Sequence, residues 1–546
     1  MREAEFFFTE AQKYFILEDY AKALIYFQRV ADLNPTNGTV HYKMAEILAK
    51  SSKQEDLVKA SQSIETALKY EKKNKYFYQL ASNIYASLGE FGKATNALET
   101  MLKEVKGTEE YLYEIAALYL FDKNEDEALK VYDRAEKILG IDEVSSLQKQ
   151  RIYLEKGNVE KGIAEGEKLI QAYPDEERYL LGFAETLSRY GQSQKAIEYA
   201  EAFIKDHPDA GSTKMVLAGF YRDNGQEQKS REYVSQVFDD PTVEVNSKVL
   251  MMGVYANTLS ANKSKNISDK ELESFSIGLF KKLEANYPAE ANVHLVGGDL
   301  YMTLDDEPEA LTQFSKAVRG GSGSFDAWQN LLFLESKQHQ IDSLIKHSEE
   351  ALELFPNQAM AYYFNGYGYL QKKKYREGTY ALEQAKKLSG SNPSFVSELN
   401  YLLGDAYQGS KEYAKSDAAY EAALAYNPNN DIVLNNYSYY LALRKENLDK
   451  ADRMSAQLIK LFPENGSYLD TRAWVLYAQG KYKEARKVIE KALAGDEVSA
   501  THLDHYGDIL FQLGEVDLAI KQWQKAKNTG GDNIALDKKI NSRKLN

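Results

Sequence analysis

Two histidines near the C-terminus have a spacing that can bind metal. His502 and His505 stand three positions apart in "THLDHYGD", with Asp504 and Asp508 beside them. Histidines three apart on a helix can share one ion, but a zinc site needs a further ligand from elsewhere, and no HExxH pattern is present. We therefore interpret the pair as packing or solvent-facing side chains, and the sequence predicts neither a metal site nor a cofactor.

Other patterns that carry chemistry are missing from the sequence. There is no cysteine, which excludes disulfides, thiolate catalysis and cysteine zinc sites. The GxxxxGK[ST], GxGxxG and GxSxG motifs do not occur in a suitable setting. Carboxylates are abundant, but a solvated helix face is their default position. We therefore expect a protein that is not an enzyme.

Charge and hydropathy narrow the class of partner. The net charge of −14 argues against a nucleic-acid or membrane-surface ligand, since both favour a basic face. The sequence has no apolar run of about 18 residues, so no transmembrane segment is expected. At 546 residues the chain is too long for one compact core, which predicts several domains or a repeat array.

The stretch "AYYFNGYGYL", residues 361–370, raises the question of a stacking surface. It concentrates aromatic side chains in a protein with 40 tyrosines. Such a cluster is either a ligand platform or ordinary helix packing. The answer depends on which elements carry the tyrosines and which way each one faces.

A small residue recurs at a spacing of 34 through most of the chain, as at Ala94, Ala128, Gly162, Ala196 and Ser230. Repeats of this length are each one helix–turn–helix unit, and each helix is marginal alone. Small residues let the paired helices approach closely. Prolines such as those after residues 34 and 173 end the second helix of a unit.

The unit "EEYLYEIAALYLFDKNEDEALKVYDRAEKI", residues 109–138, resembles the tetratricopeptide repeat. Ala116 and Tyr119 occupy its first-helix positions, and Ala128 and Tyr132 its second-helix positions. The resemblance covers nearly the whole chain. It implies an all-α, right-handed superhelix (α-solenoid) of about fifteen repeats with a C-terminal capping helix.

Departures from the period suggest four segments. We expect an N-terminal array at 1–240, an irregular repeat at 241–290 with a polar insertion at 256–274, a C-terminal array at 291–528, and a capping helix with tail at 529–546. Apolar residues of the capping helix should cover the last open face of the array. These are Ile534, Leu536 and Ile540.

Each first helix has a second stripe of residues beside its packing face. These "groove positions" lie three before, one after and four after the small residue, because a helix turns 100° per residue. The resemblance implies that they line a concave groove that binds partner segments. Candidate partner-binding residues at these positions are Phe333, Tyr363, Tyr367, Tyr401, Asp405, Asn435, Tyr439, Asp470, Trp474, Tyr477, Asp508 and Phe511.

These residues predict an aromatic and acidic surface in the C-terminal half. Tyrosine and tryptophan supply rigid contact area, and carboxylates favour basic or amide-rich partners. The alternative is packing between helices with no ligand. In the tyrosine-rich stretch, Tyr362 and Tyr369 fall in packing positions around Gly366, while Tyr363 and Tyr367 fall in groove positions.

The predicted function is a non-enzymatic scaffold for a protein or peptide partner. Residues 434–493 resemble repeats of bacterial cell-envelope lipoproteins. That resemblance implies a periplasmic or outer-membrane-associated protein whose leader is absent from this sequence. The alternative is a cytosolic adaptor or accessory subunit of an enzyme or chaperone complex. The carboxylate clamp of chaperone adaptors is not expected, because tyrosine and aspartate replace its lysine and asparagine.

Overall fold

The computed structural model describes residues 2–51, 53–321, 323–390, 392–495 and 498–545. Over these residues the chain forms 31 α-helices and one short 3₁₀ turn, and no strand is assigned within them. The all-α prediction is confirmed. The chain divides into two compact units, residues 1–244 and 245–546. The finer division into four segments stays a prediction.

The first unit contains fourteen α-helices. They are α1 (Arg2–Ile16), α2 (Tyr20–Leu33), α3 (Gly38–Leu48), α4 (Gln54–Tyr70), α5 (Lys75–Ser87), α6 (Phe91–Glu104), α7 (Leu112–Phe121), α8 (Glu125–Leu139), α9 (Glu143–Glu155), α10 (Val159–Ala172), α11 (Glu177–Arg189), α12 (Ser193–Asp206), α13 (Gly211–Asp223) and α14 (Glu227–Asp239).

The second unit contains seventeen. They are α15 (Val245–Ser264), α16 (Lys270–Asn286), α17 (Ala291–Thr303), α18 (Glu307–Arg319), α19 (Phe325–Lys337), α20 (Ile341–Leu354), α21 (Ala359–Gln371), α22 (Tyr375–Leu388), α23 (Pro393–Gly409), α24 (Tyr413–Tyr426), α25 (Asp431–Arg444), α26 (Leu448–Leu461), α27 (Gly466–Ala478), α28 (Tyr482–Ala492), α29 (Ala500–Gln512), α30 (Val516–Asn528) and α31 (Asn533–Ser542).

Consecutive helices pack in pairs, from α1 with α2 to α29 with α30, and α31 follows the last pair. The repeat prediction is therefore confirmed, with each 34-residue period giving one pair. Close approach within a pair depends on the small residues. Gly404 of α23 lies against the ring of Tyr420, and Gly507 of α29 lies against Trp523, so a Cβ at either glycine would collide with the ring.

The turn inside most pairs contains one residue with left-handed backbone. Gly157 and Gly191 adopt this conformation without steric cost, and Lys373 adopts it with φ of 59°. Lys373 belongs to the run Lys372–Lys374, which is exposed in the turn between α21 and α22. This lysine run therefore forms a solvated turn.

The predicted polar insertion at 256–274 consists mostly of helix. Residues 256–264 continue α15, and α16 begins at Lys270, so only a short loop separates the two helices. Ala256 and Leu259 are buried on α15, while Asn257, Thr258 and Ser260 beside them are exposed. The extra residues therefore lengthen the two helices of this repeat.

The helix α31 covers the end of the array with part of the predicted set. Leu536 is buried and Ile540 packs against the same cluster, which includes Trp523. Ile534 is 74% exposed, so the prediction is wrong for this residue. Two residues turn a helix by about 200°, which places Ile534 on the face opposite to Leu536.

A polar helix interrupts the core of the first unit. On α9, Lys149 is fully buried, with Nζ 2.7 Å from Asp133, 2.9 Å from Glu136 and 3.0 Å from Glu165. Burial alone would lower the pKa of Lys149, but hydrogen bonds to the three carboxylates outweigh burial and raise it. The adjacent Gln150 replaces the small packing residue and is also buried.

Candidate partner-binding groove

Groove positions from several repeats share one surface in the second unit. First helices of successive repeats contact one another directly, α21 with α23, α23 with α25, α25 with α27 and α27 with α29. The surface formed by the groove positions of these five helices is called the aromatic groove below. Most of its aromatic side chains are partly exposed.

A row of stacked rings crosses three helices of the aromatic groove. Trp474 and Tyr477 of α27 stack at 4.6 Å between ring centroids. Trp474 also stacks on His505 of α29 at 4.0 Å, and the Tyr439 ring of α25 lies tilted at 6.1 Å from the same imidazole. The structure therefore brings three predicted residues together through a histidine.

A second set of predicted residues surrounds a cavity of about 380 Å³. Its lining includes Tyr367, Gln371, Tyr401, Asp405, Gln408 and Tyr440. Tyr363 lies one turn away from Tyr367 on α21, and its ring packs at 5.6 Å from Phe395. Burial raises the pKa of Tyr363 to about 12, so its hydroxyl stays protonated at neutral pH.

Asp405 contributes the carboxylate of this cavity. The Tyr420 hydroxyl and the Asn436 side-chain amide, the latter at 3.3 Å, both donate to its Oδ1. Burial raises the pKa of Asp405 above its usual range, and these hydrogen bonds offset only part of the effect. Burial and the Asp405 charge also raise the pKa of Glu398, which lies about two turns before Asp405 on the same side of α23.

Two predicted acidic residues are paired inside the chain. Both carboxylate oxygens of Asp470 lie 2.9 Å from Nδ1 of His505. Asp508 accepts from Nε1 of Trp523 at 2.9 Å and from Nζ of Lys539 at 2.7 Å. Both aspartates are buried, so they hold the fold together and leave Asp405 as the groove carboxylate beside a cavity.

Three predicted residues lie at the margins of these clusters. Phe333 on α19 is 44% exposed. Phe511 packs 6.0 Å from Trp523 in the last core cluster. The amide of Asn435 donates to Asn436 at 3.2 Å, while its buried Oδ1 has no hydrogen-bond partner among the described residues.

The histidine pair serves the local structure. His502 caps α29 by exchanging hydrogen bonds with Ser499, and His505 faces Asp470. Burial lowers the pKa of His502. Within the described residues, no group of three or more histidine, aspartate or glutamate side chains is arranged to hold a metal ion.

Several residues of the groove were missed by the spacing rule. Tyr440 lies two positions after the small residue Ser438, outside the stripe, yet it lines the cavity. Glu398 would have been found by extending the stripe one turn towards the start of α23. The role of His505 has no signal in its own repeat, because its partner Asp470 comes from the preceding repeat.

None of the helices in the part of the chain that the structure describes combines the length and apolarity needed to cross a bilayer.

Helix-pair repeats stacked through their first helices define an α-solenoid with a lateral groove. Family models of the tetratricopeptide repeat match residues 4–37, 397–430 and 471–533. The chain is a tetratricopeptide-repeat protein. No curated protein sequence matches it.

Similar solved structures are distant in sequence. A tetratricopeptide repeat protein from Parabacteroides merdae ATCC 43184 is 17% identical, with 46% of this chain and 98% of that chain covered and a TM-score of 0.39. The APC/C hetero-tetramer Cut9–Hcn1 is 15% identical, with coverages of 93% and 96% and a TM-score of 0.36. Yeast Tom70 is 14% identical, with coverages of 99% and 96% and a TM-score of 0.31.

Proposed function

We propose that this protein is a non-enzymatic scaffold that binds a segment of a partner protein along the aromatic groove. The observation that carries the proposal is the set of partly exposed rings from Tyr367 to Tyr477 on successive first helices, with a cavity and a carboxylate among them. Grouped aromatic side chains on a surface usually mark an interaction site.

The geometry favours an extended segment over a compact domain. The rings come from successive first helices, so contact sites repeat along one direction of the array. Tyrosine and tryptophan have few rotatable bonds and lose little side-chain entropy on binding. A segment that crosses several repeats gains contact area from each.

The test compares two triple variants of equal chemistry. The groove triple is Tyr367→Ala, Tyr439→Ala and Tyr477→Ala, and it leaves Trp474 stacked on the buried His505. The outer triple changes three exposed tyrosines on second helices. These are Tyr70→Ala, Tyr380→Ala and Tyr426→Ala. Partners are captured from native extract with the wild type and both variants, and quantified by mass spectrometry.

The groove triple should lose the partner at unchanged helical circular dichroism, and the outer triple should retain it. A partner that binds the groove triple as well as the wild type would overturn the groove assignment. Binding that is lost only in the outer triple would place the interaction on the second helices.

The compartment is a separate proposal. We propose a bacterial cell-envelope assembly, supported by the style of the repeats at 434–493 alone; the alternative is a cytosolic adaptor or accessory subunit. Fractionation of cells that express the complete gene product decides between them. Recovery in the soluble cytosol would overturn the envelope setting and leave the scaffold function intact.

A further inference from the structure

We propose that the cavity beside Asp405 is a specific pocket for one cationic side chain, lysine or arginine, of the partner segment. The inference rests on the proposed function and names the chemistry that the aromatic groove recognises at this point. Two repeats hold an aspartate in similar surroundings, and the residue that reaches it from the helix beyond the repeat differs between them.

The aspartate of the last repeat already holds a lysine side chain, which comes from α31. Nζ of Lys539, on α31, lies 2.7 Å and 2.9 Å from the two carboxylate oxygens of Asp508, and 2.7 Å from Asp504. The ammonium also lies 5.8 Å from the centre of the Trp523 ring. The chain thus binds its own lysine on a groove carboxylate, next to an aromatic face.

The Asp405 site shares the glycine, the aspartate and the ring donor three repeats earlier, with Tyr401 in the position of Asp504. Asp405 follows Gly404 as Asp508 follows Gly507, and each glycine packs on an aromatic ring of the second helix. In both places the ring side chain donates a hydrogen bond to the aspartate. The Tyr420 hydroxyl donates to Asp405, and the indole N–H of Trp523 donates to Asp508.

The residue that reaches the aspartate from the helix beyond the repeat also differs between the two sites. Asn436 stands in α25 where Lys539 stands in α31, and it donates a neutral amide to Asp405. No positive charge therefore reaches Asp405 from this position. The guanidinium of Arg444 contacts the cavity lining at Gln408, and it is already paired with Asp417 at 2.6 Å.

The cavity has the shape and walls that a cation needs. It opens beside the carboxylate and is walled by Tyr367, Tyr401 and Tyr440. Tyrosine faces attract an ammonium or guanidinium group, and the attraction grows when water is excluded. A volume of about 380 Å³ is ample for one long side chain. The carboxylate would supply the charge-assisted hydrogen bond.

The experiment uses a random-sequence peptide display library selected on the immobilised full chain. Selected peptides should share a lysine or arginine at one position, and changing that residue to methionine should weaken binding about tenfold or more. Asp405→Asn should cause a similar loss. The two changes together should cost little more than either alone, as expected for groups that touch.

Asn436 provides the sharpest variant. Asn436→Lys should place an ammonium on Asp405, as Lys539 does on Asp508, and exclude the peptide cation, with affinity reduced about tenfold or more. Asn436→Gln keeps the amide and should retain affinity within about twofold of the wild type. Asp405→Asn gives an independent answer if Asn436→Lys fails to fold.

The outcomes separate this inference from the proposed function. Peptides that lose binding to the groove triple but carry no shared cation, or bind Asn436→Lys as tightly as the wild type, overturn the pocket and leave the groove function standing. Failure to select any peptide that depends on the groove triple overturns the proposed function, and the pocket with it.

Discussion

The charges of Lys149 in the first unit and Asp405 in the second are handled in opposite ways. In the first unit, the ammonium of Lys149 is surrounded by the carboxylates of Asp133, Glu136 and Glu165. In the second unit, the carboxylate of Asp405 receives hydrogen bonds from a hydroxyl and an amide, both neutral. Both sites occupy first helices of the same repeat frame.

This difference distinguishes charges that stabilise the fold from a charge that is available to a partner. A charge that the chain neutralises itself contributes to folding and offers nothing to a partner, as at Lys149 and at Asp508. A half-buried carboxylate that meets only neutral donors, beside a cavity, gains most from a cation supplied from outside. The same repeat frame can therefore serve either purpose, depending on a side chain that comes from the helix beyond the repeat.

The largest effect is expected from Lys149→Met. Removing the fully buried ammonium leaves the partly buried Glu136 and Glu165 with Lys168 as their remaining counter-charge, which should destabilise the unit by about 3 kcal/mol. Hydrogen exchange of α8, α9 and α10 measures the loss. The exposed Lys137→Met on α8 is the matched control and should leave exchange unchanged. Unchanged protection in Lys149→Met would show that the cluster contributes little to folding.

A smaller loss is expected from Lys539→Met. Asp508 would keep the Trp523 hydrogen bond but lose its ammonium, at a cost of about 2 kcal/mol. The loss should appear as faster exchange in α31 and α29, and as a lower denaturant midpoint for the end of the array. Lys538→Met, on the exposed side of α31, should have no such effect. Equal behaviour of the two variants would contradict the assigned role of Lys539.

Asn436→Lys should give Asp405 a lysine partner, as Asp508 has in Lys539, and should raise the free energy of unfolding by about 1 kcal/mol at neutral pH. Because the pKa of Asp405 is raised above its usual 3.8, the wild-type folded state holds this proton more tightly than the unfolded chain. Wild-type stability is therefore lost as pH rises through the raised pKa.

The stability difference between Asn436→Lys and the wild type should accordingly grow as pH rises from below 3.8 through that raised pKa. Urea unfolding at a series of pH values checks the trend. Glu398 and the surrounding tyrosines are common to both proteins and largely cancel in the difference. A constant difference across the series would mean that the new lysine does not reach Asp405.

The smallest effect is expected at the surface. Lys372 lies 2.7 Å from Asp342, but both side chains are well exposed. Such pairs contribute about 0.5 kcal/mol or less. Thermal unfolding and partner capture with Lys372→Ala should both resemble the wild type. A marked loss of partner binding would indicate that the lysine run takes part in recognition after all.

The sequence predicts the fold well because the repeat is set by residues that act locally. Gly404 and Gly507 are small since a second-helix ring lies against each, and that requirement recurs with the period. The groove stripe follows from helix geometry alone. It correctly brings Tyr367 and Tyr401 to one cavity.

The sequence does not show in the same way whether a groove aspartate is paired with a cation of the chain. Asp405 and Asp508 occupy equivalent positions, and their difference depends on Asn436 and Lys539, which come from the second helix after each aspartate. Whether those side chains reach back depends on the spacing between helices. Ile534 shows a related limit, because a capping helix has no repeat beyond it to fix its register.

The helix α31 bears on whether copies of this protein can associate end to end. An uncovered end of a repeat array offers the same apolar face that its own repeats use to join one another, so identical chains can polymerise head to tail. Here Leu536 removes the apolar face and Lys539 satisfies the last carboxylates. The face of α29 and α30 that α31 covers is therefore unavailable to a second copy in both hydrophobic and electrostatic terms.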